Sequence, residues 1–224
     1  MKNLRKFVGF TLAEALITLG IIGVVAAITL PVLIQNYKKQ VVETRLQKFY
    51  SIMNQAAKQA ESIYGEFQYW DNTTSIDDTN GMEAWWNKYF APYIKTLKIE
   101  TCGQNLLIYL PDGSGFYIFN YYGQGATSSA THIYFYPNIS KKSKNSEGES
   151  GKDFFVFFMN AKANAKYAIV EPYKFAWNGK LETLTTGVFG CRKSAPSEKH
   201  YPHYCAAMIE ANGWKIPKDY PFKF

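Results

Sequence analysis

Hydrophobic positions along the chain follow two rhythms. Residues 10–34, FTLAEALITLGIIGVVAAITLPVLI, are apolar almost without interruption. Further on the pattern opens into a stripe in which Val42, Leu46, Phe49, Met53, Ala56, Ala60 and Ile63 step by fours and threes. That spacing predicts one face of an α-helix, with Lys39, Glu43, Lys48, Asn54, Lys58 and Glu61 on the opposite face. Gly65 supplies a stop, so one helix over 10–64 is predicted, about 80 Å long. The stripe also fits a coiled coil, but packing against the chain's own domain is the expectation.

Beyond Gly65 the pattern breaks into short elements. A helical or turn-rich segment is predicted over 82–93, MEAWWNKYFAPY. Leu106–Leu110 and Phe116–Asn120 are apolar runs separated by Pro111-Asp112-Gly113-Ser114-Gly115, which reads as a hairpin. Further strands are expected at His132–Tyr136, Asp153–Met159 and Lys166–Pro172, with a polar loop over Ser140–Gly151. A short helix from Tyr204 to Asn212 would end at Gly213. No internal repeat is present. The fold class this predicts is α+β, a long N-terminal helix packed on a small antiparallel sheet.

Composition narrows the function classes. An aromatic fraction of 17% with 47% apolar residues excludes a disordered chain, and 224 residues suffice for one sizeable core. Three cysteines exclude a disulfide-dense miniprotein. The chain has no His-Glu-x-x-His or Gly-x-Ser-x-Gly motif and only three histidines, so neither an enzyme nor a cofactor is expected. A zinc set drawn from Cys191, His200, His203 and Cys205 is disfavoured, because cysteines outside the cytoplasm oxidise. Trp85 and Trp86 are expected half in the core and half at the surface.

Charge changes the picture at the N-terminus. Residues 1–9 carry Lys2, Arg5 and Lys6 and no acid, which places that end in the cytoplasm if residues 10–34 span a membrane. An ordinary signal peptide cut near Ala27 is disfavoured, since an acid sits early in the run and the apolar pattern continues past the supposed cut. The net charge of +7 rests on 25 basic and 18 acidic residues. Removing residues 1–9 leaves 22 against 18, too small a surplus to mark a nucleic-acid binder.

The one ionisable group in 10–34 is Glu14. A carboxylate at membrane depth costs about 2.5–3.5 kcal/mol on insertion scales, so it needs a partner, and the span itself offers no base. Gly9-Phe10-Thr11-Leu12-Ala13-Glu14 behind a short basic leader resembles the processing site of type IV prepilins and type II secretion pseudopilins. The resemblance implies that a prepilin peptidase cuts between Gly9 and Phe10 and methylates the new amine of Phe10. It also implies that Glu14 of one subunit neutralises that amine on its neighbour, and that Pro31 is the family's helix-kinking proline. Gly20, Gly23 and Ala27 would allow close helix approach.

The resemblance implies three segments: a leader over 1–9, a transmembrane and assembly helix over 10–34, and a head over 35–224. Single-pass insertion in a bacterial inner membrane would precede export into a periplasmic or cell-surface filament. The implied partners are other pilin subunits, prepilin peptidase, an inner-membrane assembly platform and the membrane itself. A pilin or minor pilin is the leading reading and a type II secretion pseudopilin the alternative. An adhesion or DNA-uptake subunit is a third, resting on Lys141, Lys142 and Lys144, for which a solvated loop is the simpler expectation.

Two later stretches, Gly151-Lys152-Asp153-Phe154-Phe155-Val156-Phe157 and Asn212 to Pro221, resemble segments of bacterial pilin-like proteins. On the residues alone, three pairings of Cys102, Cys191 and Cys205 are possible. Cys191 and Cys205 bracket a polar loop that resembles the disulfide-bounded C-terminal region of type IV pilins, so that pair is expected and Cys102 is left over.

Overall fold

A computed structural model describes residues 11–70, 79–102, 105–121, 130–142, 148–159, 169–193 and 201–224. Helix α1 spans Leu12–Tyr64, α2 Thr79–Tyr89 and α3 Cys205–Ala211. The strands are β1 (Lys98–Cys102), β2 (Asn105–Tyr109), β3 (Gly115–Tyr121), β4 (Ala130–Tyr136), β5 (Phe155–Met159) and β6 (Val170–Pro172). They form one antiparallel sheet in the order β1-β2-β3-β4-β5-β6. The layout is α+β and pilin-like. Contacts divide the chain into two compact units, Met1–Gln40 and Val41–Phe224.

In the first unit, α1 begins with a capping box. The Thr11 backbone N–H and hydroxyl both donate to the Glu14 carboxylate, at 2.9 and 2.8 Å, while the Glu14 N–H donates back to Thr11 Oγ1 at 3.2 Å. The helix continues through Pro31, which has no N–H to offer the Ala27 carbonyl one turn earlier. Apolar residues from Leu12 to Ile34 stand exposed on all sides, Leu12 at 81%.

In the second unit, the stripe on α1 buries against the sheet. Phe49 is the centre of that contact, with its ring 5.2 Å from Phe116, 4.4 Å from Phe135 and 5.0 Å from Phe157. Aromatic pairs of this kind add about 0.5–1.5 kcal/mol each beyond the area they bury. Alternation decides the faces of the sheet. Ile108, Phe116, Ile118, Ile133, Phe135 and Phe157 join the α1 side, while Tyr117, Tyr134, Tyr136, Val156 and Phe158 look the other way.

Three features of the helix depart from the sequence pattern. Ile63 is 65% exposed, and Ala57 is buried instead. Glu43, assigned to the polar face, is buried and accepts hydrogen bonds from the Ile216 N–H at 2.9 Å and the Lys215 ammonium at 3.0 Å. Asn54, also assigned there, bonds the backbone of the edge strand β6. Its Oδ1 accepts from the Ile169 and Val170 N–H groups at 2.8 and 3.0 Å, and its Nδ2 donates to the Val170 carbonyl at 2.8 Å.

Trp85 and Trp86 are both buried, not shared between core and surface. Trp86 stacks on Phe90 and meets Phe116, while Trp70 stacks on Tyr89 at 4.2 Å and packs beside Trp85. The predicted hairpin is present. Gly113 donates to the Leu110 carbonyl at 3.1 Å with φ +80°, a conformation that favours glycine. The turn is tied to α1, because the Arg45 guanidinium donates to the Asp112 and Pro137 carbonyls and Lys48 pairs with the Asp112 carboxylate at 2.7 Å. Partial burial opposes ionisation of Asp112, but bonds from Lys48 and Ser114 outweigh it and hold the group down at about 2.

Candidate functional site

Two regions carry the residues singled out by the sequence. The first is α1 up to Ile34, which is long and apolar enough to cross a membrane. Glu14 lies in its first turn, and its carboxylate is engaged by Thr11 within the same chain. Pro31 lies inside the helix. A Cβ added at Gly20 or at Gly23 would meet nothing within 4 Å, so the chain's own packing does not require small residues there. Gly9 and Phe10 lie outside the described residues, as does the leader.

The second region is built around a disulfide. Cys191 and Cys205 are bonded, with a Cα–Cα distance of 4.7 Å, so both sulfurs that the zinc alternative needs are taken. Cys102 ends β1. His200 lies outside the described residues, and among those described no group of three or more metal-binding side chains occurs.

The stretches Gly151–Phe157 and Asn212–Pro221 meet near this disulfide. Gly151 has φ +84°, and a Cβ there would come within 2.6 Å of Cys205 Sγ and 2.8 Å of the Phe222 ring. The Tyr220 hydroxyl donates to the Gly151 carbonyl, and burial pushes its pKa well above the usual tyrosine value. The glycine is therefore a point of close approach where sulfur, ring and backbone converge. A turn after α3 brings the tail there: Gly213 has φ +68°, and Trp214 donates to the Ile209 carbonyl at 2.9 Å.

Beside the disulfide lies an open cleft of about 570 Å³. The turn Gly148–Ser150 forms one wall, and the chain flanking the two cysteines, Arg192–Lys193 and Tyr201–His203, forms the other. The Ser150 hydroxyl ties the walls together by donating to the Pro202 carbonyl at 3.1 Å. Nothing in the sequence pattern announced this cleft, because its walls come from segments about fifty positions apart.

The basic loop of the DNA-uptake alternative is only partly described. Lys142 sits over the Tyr117 ring, 4.9 Å from its centre, and Lys144 lies outside the described residues.

The family model for DUF6613, described as a family of unknown function, matches residues 32–224. The chain belongs to that family. No curated protein and no solved structure matches the chain. The DUF6613 match takes in the second unit whole, including α1 from Val41, the disulfide and the tail that carries Trp214 and Tyr220.

Proposed function

We propose that the chain is a structural subunit of a type IV pilus-like filament, a pilin or minor pilin, assembled through its N-terminal helix after cleavage between Gly9 and Phe10. The observation that carries this reading is α1 up to Ile34, an apolar helix exposed on every side whose one ionisable group is Glu14. Such a surface needs lipid around it first and other helices later. A buried carboxylate needs a positive partner, and the amine freed at Phe10 of a neighbouring subunit supplies one. The glycines at 20 and 23, which face open space, suit close contact between helices. Addition of subunits head to tail is a non-closing contact, which yields a fibre.

Mass spectrometry of the mature protein and immunogold labelling of sheared filaments test the proposal. The expected result is an N-methylated Phe10 terminus and labelled fibres. Gly9→Ala should leave residues 1–9 attached, and Glu14→Ala should be processed yet fail to assemble. An intact leader in the wild type overturns the reading. Normal processing with label confined to membranes assigns the chain to the pseudopilin alternative instead.

A further inference from the structure

We propose that Tyr37, Lys38 and Lys39, just past the apolar run of α1, form a collar that binds anionic phospholipid headgroups. The collar sets the depth of the helix, so that Glu14 lies at the opposite headgroup layer. This rests on the reading of α1 up to Ile34 as a membrane span. Residues 35–40 follow Ile34 without a break in the helix. Tyr37 is 66% exposed, and Lys38 is exposed beside it. Among the described residues neither lysine ammonium has an ion pair or a hydrogen bond. No acid occurs between Glu14 and Glu43, so the two charges stand uncompensated along the sequence. A tyrosine beside lysines suits a headgroup layer, with the ring toward the acyl chains and the ammonium toward phosphate. Adjacent positive charges there favour anionic over neutral lipid.

The length of the apolar run fixes where the other end falls. A hydrocarbon core of about 30 Å takes about 20 helical residues at about 1.5 Å each. Counted back from Ile34, that core closes at Ala15. Within 15–34 the polar side chains are Thr18 and Thr29, and both hydroxyls donate to carbonyls of their own helix. Thr18 reaches Glu14 and Ala15 at 3.0 and 2.9 Å, and Thr29 reaches Val25 at 2.9 Å. No side chain in that stretch needs water. Glu14 is the next residue, and its carboxylate, held by Thr11, stands at the far boundary of the core. The inserted subunit thus keeps this carboxylate wet, and drying it is deferred to assembly, when a neighbour's amine can meet it.

Full-length protein in lipid nanodiscs tests both halves of the proposal. In discs of equal phosphatidylglycerol and phosphatidylcholine, native mass spectrometry reads the lipids retained on the protein. Phosphatidylglycerol should be enriched on the wild type. Lys38→Gln with Lys39→Gln should remove about half of that enrichment or more, since the basic residues at 2, 5 and 6 are common to both proteins. Lys95→Gln with Lys218→Gln makes the same charge change in the second unit and should keep the enrichment. Spin labels at Ala13→Cys, Gly23→Cys and Asn36→Cys, each in a Cys102→Ser background, report depth. A Cβ at Gly23 meets nothing within 4 Å, so a label fits there. The label at 23 should be shielded from a water-soluble nickel chelate, while those at 13 and 36 stay open to it.

Equal retention of the two lipids on the wild type overturns the proposal. So does enrichment that survives the loss of Lys38 and Lys39, or that the second-unit variant abolishes. A label at 13 or 36 as shielded as the one at 23 overturns it too, and leaves the span reading standing. A label at 23 open to the chelate overturns that reading together with the collar.

Discussion

The carboxylate of Glu43 accepts the backbone N–H of Ile216 across 173 positions of sequence, at 2.9 Å, in the buried contact between α1 and the tail. Lys215 reaches the same carboxylate but is 67% exposed, so its ion pair contributes little. Removing the acceptor leaves a buried N–H bare. Glu43→Ala should therefore cost about 1–3 kcal/mol, and Glu43→Gln, which keeps an acceptor, clearly less. Urea denaturation of the two variants in detergent checks the order. Equal losses would mean that the Lys215 pair matters more than the Ile216 bond.

Gly151→Ala combines a left-handed backbone with a collision against Cys205 Sγ. A loss of about 2–4 kcal/mol follows from those two effects together. Reducing the disulfide frees the loop between its cysteines, for about 3 kcal/mol in the chain-entropy model. Thermal unfolding of the variant with and without reductant separates the two. A Gly151→Ala protein as stable as the wild type would show that the contact relaxes freely.

Asn54 engages the edge strand with both the oxygen and the nitrogen of its amide. Asn54→Leu should cost about 2–4 kcal/mol, since Ile169 and Val170 lose three bonds between them. Hydrogen exchange gives a sharper reading, because protection at Val170 should fall while protection at Phe116 in the sheet centre holds.

Asp112 gives the unit Val41–Phe224 a defined acid response. Its folded pKa, about 2, lies below the ordinary carboxylate value of about 4, so its contribution is complete above pH 4. That contribution fades as pH falls from about 4 to 2, where the folded form takes up its proton. Asp112→Asn should be less stable than the wild type at pH 6, and the gap should close toward pH 2. A gap that is constant with pH would place the effect in turn geometry instead.

Glu171 points the other way. Burial in β6 raises its pKa, with Glu210 adding to the effect and Lys174 opposing it. A raised carboxyl stabilises the fold most when protonated, and that contribution is lost as pH rises through the folded value. Glu171→Gln should accordingly stabilise the protein at pH 7, with the gain shrinking on acidification. Paired melting curves at pH 7 and pH 4 measure it.

Elements with a local period were legible in the sequence. The stripe from Val42 to Ala60 announced the buried face of α1, and Pro111 to Gly115 announced the hairpin. Glu43 and Asn54 were misread as solvent-facing because their partners lie 173 and 116 positions away, beyond the reach of any periodic pattern. Lys98–Cys102 was missed as a strand because its sequence, KIETC, shows a single strong apolar position. Trp85 and Trp86 are adjacent on a helix and suggested opposite environments, yet Trp70 and Phe116 cover both. The Cys191–Cys205 bridge followed from the resemblance, but the approach of Gly151 to it did not.

The sheet is a meander, so each strand lies beside the one made before it and can pair as soon as it appears. The Glu43–Ile216 bond is the opposite case, since Ile216 follows every strand in the chain. The sheet packs on α1 through residues that all precede the tail in the chain, whereas the acid on that helix is covered by the tail itself. The tail that covers that carboxylate is the same one that seats Phe222 on Gly151. The layers are thus complete in chain order before the segment that seals Glu43 begins.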